Sequence, residues 1–358
     1  MNMNRREFIK TQTAAACATA AACATAAGAA IPGVAAAWQG ESNKDVPMPG
    51  DPMDLGAVRR AKIRCVSETG WFDTPTLLAD LKATNEDLTQ LNQYDLAWPP
   101  YGDLHRDNAG GSSALIEIED GEGKTRKFLF DSGWNREWMD QRFAEEGIDR
   151  MLQSGEIEFI VISHEHFDHF WGIGSAIGHR PDIPLYIPAS FHPEAFALLK
   201  KAGHTGPIHQ VPLGEPALPF PGLAIAHFPM ETLGNVQGEN VVYMNLTDKG
   251  LAMVTGCGHG GVLQLLDYGQ RTFRDARGIH AVYGGLHISP FGKWDDEMEK
   301  TVQALGKYGI KRLGCNHCTG ERTVQRMIEL GMPVVRGTAR HGSKSDLYLG
   351  NGDVFEVG

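Results

Sequence analysis

The sequence predicts a mixed α/β fold, and three observations carry that expectation. Ser113–Glu119 and Lys127–Phe130 alternate apolar and polar residues and are joined by a Gly121-Glu122-Gly123 turn, the pattern of a half-buried hairpin. Ile157–Ile162 is an apolar, β-branched run that stops abruptly before His164. From Leu251 onward strands alternate with helices: Leu251–Thr255, His280–Tyr283 and Lys311–Leu313 read as strands, with Gly261–Leu266 and Asp295–Lys307 as the helices between them. A chain of 358 residues, 42% hydrophobic and 22% charged, has apolar material enough for one large domain or two fused halves.

Taken from the beginning, the first 37 residues stand apart. Arg5 and Arg6 sit beside Phe8 and Lys10, a weakly apolar Ala-dominated stretch follows, and Ala35-Ala36-Ala37 has the small-residue form that a signal peptidase accepts. This predicts a twin-arginine signal peptide over residues 1–37, with the twin-arginine export machinery as a partner and a periplasmic or extracellular location. The Ala tract is too poor in large apolar side chains to predict stable membrane insertion. Residues 38–60, rich in Pro, Gly and Asp, read as a linker, and the folded domain is expected over residues 61–358. Lys62–Ser67 is its first expected strand, Thr74–Gln93 gives polar helical or loop segments, and Trp98-Pro99-Pro100-Tyr101-Gly102 gives a surface loop. After the hairpin come helices at Glu137–Glu146 and Asp149–Ser154, a strand at Asp182–Ile187, and a helix at Pro193–Ala202 with proline in its first turn.

Charge and cysteine content narrow the function. A formal net charge of -11 excludes a basic nucleic-acid footprint and points to a small-molecule substrate. Outside the signal the cysteines are Cys65, Cys257, Cys315 and Cys318, too few for a disulfide framework in a domain of this size. Cys315 and Cys318 have a C-x-x-C spacing, and without a second such pair it reads as packing around a neighbouring loop.

The chemistry concentrates in Ser163-His164-Glu165-His166-Phe167-Asp168-His169, three imidazoles and a carboxylate within six residues directly after a buried strand. Alternate residues at a strand end project to one side, so His164 and His166 can grip one ion while the following turn offers Asp168 and His169 to a second. Nitrogen and hard oxygen donors together suit zinc, manganese or iron. Three later loops also carry histidines: Gly256-Cys257-Gly258-His259-Gly260-Gly261, Gly284-Gly285-Leu286-His287 and Asn316-His317-Cys318-Thr319-Gly320.

The H-x-H-x-D-H pattern after an apolar strand, with the earlier Asp131-Ser132-Gly133 turn, resembles the metallo-beta-lactamase superfamily over nearly the whole chain beyond the signal. The three later loops resemble those of its branch that includes dihydropterin-methyl-ribofuranosylaminobenzene phosphate synthases. The resemblance implies a four-layer αββα sandwich with metals at the sheet edges, and it places His317 as the last ligand, at the second site. The superfamily's bridging carboxylate stands where this chain has Gly256-Cys257, so either Cys257 takes that place or water bridges alone. For the third ligand of the first site His259 is preferred to His227, because a glycine-rich loop lets the backbone come close to an ion.

The expected ligands are therefore His164, His166, Asp168, His169, His259 and His317, holding two divalent ions, zinc first. The expected activity is hydrolysis of an ester, phosphoester or amide-like bond by a metal-bound hydroxide, with Asp168 orienting and deprotonating the water and His287 assisting the leaving group. Three alternatives stand beside it: a condensing enzyme on a pterin precursor, a mononuclear iron enzyme of sulfur or oxygen chemistry, and a non-catalytic periplasmic binding protein. His105, His179, His192, His204, His209, His280 and His341 read as ordinary surface or core residues, and Trp71, Trp98 and Trp134 mark stretches that could line a pocket.

Overall fold

A computed structural model of the protein describes residues 51–68, 92–94, 110–274, 277–290, 294–343 and 345–358. The expected signal peptide, most of Thr74–Gln93, the Trp98–Gly102 loop, Trp71 and His105 lie outside the described residues.

The strands form two halves. In the first, β1 (Val58–Ser67), β2 (Ser113–Asp120), β3 (Thr125–Phe130), β4 (Ile157–Val161), β5 (Leu185–Pro188) and β6 (Ile208–Val211) lie side by side in chain order. The β1–β2–β3 part is antiparallel, and from β3 to β6 the pairing is parallel. In the second half β7 (Ala217–Phe220), β8 (Leu223–Thr232), β9 (Val236–Leu246), β10 (Gly250–Thr255), β11 (Ile279–Gly284) and β12 (Arg312–Cys315) follow in chain order, antiparallel as far as β10 and parallel from β10 to β12. A last strand, β13 (Val354–Val357), pairs with β1, and among these strands the two halves pair at one position, Val58 with Leu246, in parallel.

Three apolar cores show how the halves stack. Ile63, Ile116, Phe128 and Val161 of the first half meet Ile225, Val242, Met244, Val254 and Tyr283 of the second in a shared core. The opposite face of the first half packs Leu129, Ile160, Ile162 and Leu185 under α1 (Arg136–Glu146), α2 (Ile148–Gln153), the single turn α3 (Phe167–Phe170), α4 (Ile173–His179) and α5 (Pro193–Ala202). On the second half Phe228, Val241, Tyr243 and Met253 pack under α6 (Val262–Thr272), α7 (Asp296–Leu305) and α8 (Glu321–Glu329). Helices, sheet, sheet and helices make the four-layer α/β sandwich the sequence predicts. From Phe159 to Ile162 the run is continuously apolar for this reason: Phe159 and Val161 face the inter-sheet core while Ile160 and Ile162 face the helices.

Helix ends follow local chemistry. Asn135 caps α1 by accepting from the Trp138 amide at 3.0 Å, Asp295 caps α7, and α1 stops at Gly147 in the left-handed region (φ 70°). Some boundaries differ from expectation. Leu55 is buried in the second-half core and Met53 bridges Phe273, so the fold reaches into the segment read as linker. The long β8–β9 pair was not expected, because β8 is buried almost throughout and contains Pro229, which erases any alternation. Among the described residues no helix is long and apolar enough to cross a membrane.

Candidate metal centre

Parallel strands deliver their loops to one edge, and both halves use that edge. In the first half the chain leaves β4 through Ser163 into His164 and His166, whose Nε2 and Nδ1 lie 2.9 Å apart, and the α3 turn then presents Asp168 and His169. Asp131, fully buried just after β3, organises this loop. It accepts from the Ser163 amide at 2.6 Å and the Ser163 hydroxyl at 2.8 Å, and contacts His169 Nδ1 at 2.7 Å. His166 turns its Nε2 to the Leu233 carbonyl at 2.8 Å, which directs Nδ1 into the site. Glu165 points away from the cluster: His192 Nδ1 lies 2.5 Å from one carboxylate oxygen and the Tyr94 hydroxyl donates to the other at 3.0 Å.

The second half contributes three loops, from the ends of β10, β11 and β12. Their backbones are joined directly: the Gly285 amide donates to the Gly256 carbonyl, Asn316 to Gly284 and Ser289 to Thr319, at 3.1, 3.1 and 3.2 Å. Glycine at 284 is obligatory, since a Cβ there would lie 1.9 Å from the Thr255 carbonyl oxygen. His287 and His317 both occupy left-handed backbone, φ 45° and 47°, a conformation costly for such residues and concentrated at functional sites. Glu239 of β9 shapes the first of these loops. One of its oxygens accepts from Thr255 Oγ1 (3.0 Å) and the amides of Cys257 and Gly258 (2.8 Å each), and the other accepts from the His259 amide at 2.8 Å. The next residue, Asn240, reaches the opposite half, its amide donating to the Ser163 carbonyl at 2.6 Å and its side chain to Ile162 O at 3.1 Å.

Together these loops assemble two buried donor triads, His164–His166–His259 and Asp168–His169–His317, the donor atoms in each within 4.8 Å of one another. Their rings abut, with His164 and His169 centroids 4.1 Å apart. Cys257 lies between them, its Sγ 3.2 Å from His169 Nε2 and grouped with both His164 and His169. The electrostatics suit cation binding. Burial holds His164 and His259 well below the ordinary imidazole range and pushes His166 down to about 4, which leaves their lone pairs available. Burial works against a charged Asp168, yet His169 and His317 beside it keep its carboxyl below the usual range and therefore ionised. Burial also opposes charge on His169, but Asp168 and Asp131 outweigh it and bring it up to about 9, so a cation taken up by this ring must displace its proton. Both ring nitrogens of His259 are buried without a hydrogen-bond partner among the described residues, an arrangement that costs about 1–3 kcal/mol per nitrogen unless a ligand takes it up. The donor set fits divalent metal.

The six expected ligand residues are all brought together, and His259 rather than His227 stands with His164 and His166. His227 is held elsewhere, its Nδ1 2.9 Å from the Val211 carbonyl and its Nε2 3.3 Å from Ser190 Oγ. His287 is half-buried, its ring 4.4 Å from that of His259. Cys315 packs into the outer core and Cys318 faces Cys257 and His287 of the neighbouring loops, the tight turn after β12 separating the two cysteines of the C-x-x-C. One expectation needs correction. His192 is not an ordinary residue, since it anchors Glu165 of the metal loop. Glu239 gave no sequence signal, and a buried carboxylate is recognisable only once its partners 16 to 20 residues later are in place. Trp134 is buried against Phe167, ring centroids 4.5 Å apart.

Comparison with known proteins agrees with this geometry. Residues 106–239 match the metallo-beta-lactamase superfamily. A 262-residue alignment, 61% of this chain and 84% of the relative, is 26% identical to the 7,8-dihydropterin-6-methyl-4-(beta-D-ribofuranosyl)-aminobenzene-5'-phosphate synthase of Methanocaldococcus jannaschii. An uncharacterised protein of the same organism is 24% identical over 249 residues, 62% of this chain and 88% of its own length. Among solved structures, a metal-dependent hydrolase of the beta-lactamase superfamily superposes with a TM-score of 0.52 and 19% identity, covering 83% of this chain and 99% of the other, a likeness of fold.

Proposed function

We propose that this chain, which carries a metallo-beta-lactamase superfamily domain over residues 106–239, is an exported, binuclear metal-dependent hydrolase acting on an ester, phosphoester or amide-like bond of a small molecule. The observation that carries the reading is the pair of abutting donor triads, one all-imidazole and one containing the ionised Asp168. His164, His166 and His259 would hold one ion, and Asp168, His169 and His317 the other. Two divalent ions held there, zinc or else manganese or iron, would supply Lewis acidity, lowering the pKa of water toward about 7 and polarising the bond under attack.

The chain's own residues do the rest. Asp168, itself a member of the second triad with His317 Nε2 at 3.4 Å and His169 Nε2 at 3.8 Å, is the carboxylate that orients the attacking water and takes its proton. Asp131 fixes the ring of His169, and the Leu233 carbonyl fixes that of His166, so neither ligand rotates as charge develops. His287 has two thiols for neighbours rather than open solvent alone, and this setting argues against reserving it for the leaving group.

The test is metal analysis of the protein and of His166→Ala and His169→Ala, with a screen of phosphodiester, phosphomonoester, lactone and β-lactam substrates. The expected result is at least two ions in the parent, one fewer in each variant, and turnover lowered by roughly 10³-fold or more. Unchanged metal content and turnover in both variants would overturn the reading. A second reading, condensation rather than hydrolysis, is favoured by the name of the synthase relative, and a product formed only when two substrates are supplied would select it. Export is tested separately: Arg5→Lys with Arg6→Lys should hold the protein in the cytoplasm.

A further inference from the structure

Cys257 belongs to more than one donor set. Beside the histidine triads, its Sγ also joins Cys318 Sγ and a His287 ring nitrogen, the three donor atoms all within 4.8 Å of one another. Each comes from a different loop, at the ends of β10, β12 and β11. The convergence is built by the backbone: Cys318 directs its thiol to the Cys257 carbonyl at 3.4 Å, and a Cβ on Gly285 would lie 2.5 Å from Cys318 Sγ and 3.2 Å from Cys257 Cα. His287 reaches the two sulfurs through its left-handed backbone, the kind of strain a fold keeps where the side chain's direction matters. Both cysteines are free, so no disulfide accounts for their meeting, and simple packing does not ask for a histidine between them.

We propose that Cys257, His287 and Cys318 form a third cation site, of soft character, that adjoins the two histidine-rich triads through the shared Cys257 and takes a thiophilic divalent ion of the zinc or cadmium class. Two sulfurs and one nitrogen are a softer set than either triad, so the centre grades from oxygen and nitrogen donors at Asp168 to sulfur at Cys318. A tetrahedral ion bound at about 2.3 Å to sulfur sets its donors about 3.8 Å apart, within reach of the observed spacing, and three protein donors leave a fourth position open. This inference goes beyond hydrolysis at the two triads and does not depend on it.

Cobalt(II) titration of the full chain tests it, because thiolate-to-cobalt charge transfer gives a near-ultraviolet band that imidazole and carboxylate donors do not give. The expected result is a third equivalent of cobalt whose binding builds much of that band. Cys318→Ser should remove that equivalent and lower the band by about half, and His287→Ala, at a half-buried and more tolerant position, should remove the same equivalent. Unchanged stoichiometry and band in His287→Ala and in folded Cys318→Ser would overturn the proposal and leave Cys257 as a lone thiolate between the triads. His164→Ala with His169→Ala separates the two readings: a Cys318-dependent band that survives supports the soft site even where the hydrolase reading fails.

Discussion

Each half of the molecule holds its share of the centre with one fully buried carboxylate, and the two carboxylates work differently. Asp131 acts mainly on side chains, gripping Ser163 and the His169 ring. Glu239 acts on backbone, taking three consecutive amides from Cys257 to His259. The first half has its donors contiguous in sequence, so the path of the chain already places them, and what remains to be set is ring orientation and charge. The second half gathers donors from separate loops, so loop shape itself must be imposed. A carboxylate that sets ring orientation should matter most for affinity and protonation, one that sets loop shape for folding.

The largest expected effect follows at Glu239. Glu239→Ala leaves a hydroxyl and three amides buried without their acceptor, and should cost roughly 4 kcal/mol of stability, read as a lowered denaturant midpoint, together with joint loss of binding at Cys257 and His259. Equal or greater destabilisation by Asp131→Asn would break the comparison. Asp131→Asn is expected instead to lower metal affinity by roughly 10- to 100-fold in a chelator competition, with the fold retained.

The same substitution has a pH signature in the chelated protein. His169 is raised to about 9, so its contribution to stability is complete below the ordinary imidazole value of 6.5 and is lost as pH rises through about 9. Asp131→Asn should shrink that window, and an NMR titration of the ring in the chelated protein would show its pKa falling. Identical titrations in parent and variant would mean that Asp168 alone sets the charge.

An effect of opposite sign is expected at His227, outside both triads. Burial pushes it down to about 4, so it favours the fold above 6.5 and that benefit is lost as pH falls toward 4. His227→Gln should flatten the acid side of the stability profile by up to about 3 kcal/mol. An unchanged acid limb would place the acid sensitivity in the metal cluster instead.

What the sequence revealed follows the same division. The His164–His169 loop was legible because its donors are neighbours after a recognisable apolar strand, and the late strands were legible because each ends in a glycine-containing loop with a histidine. The β8–β9 pair was not, since burial on both faces removes the period of two, and with it went the only clue to where Glu239 would stand. The separate surroundings of Cys315 and Cys318 were not legible, because their spacing does not encode the turn at His317–Thr319 that leaves one in the core and turns the other to Cys257 and His287. Asp131 was visible as part of a turn, but its hold on His169 is a contact across 38 residues that no local pattern encodes.

Glu239 and Asn240 are consecutive on β9, and neighbouring residues of a strand point to opposite faces. A single peptide step therefore aligns the loop of one half with that of the other. A one-residue slip or insertion in β9 would send the carboxylate toward Ser163 and Asp131 and the amide toward Cys257, mismatching both loops at once. Changes in chain length are thus tolerable at the exposed Asp248-Lys249 turn and not within the strand before it, which makes β9 the gauge against which the whole centre is cut.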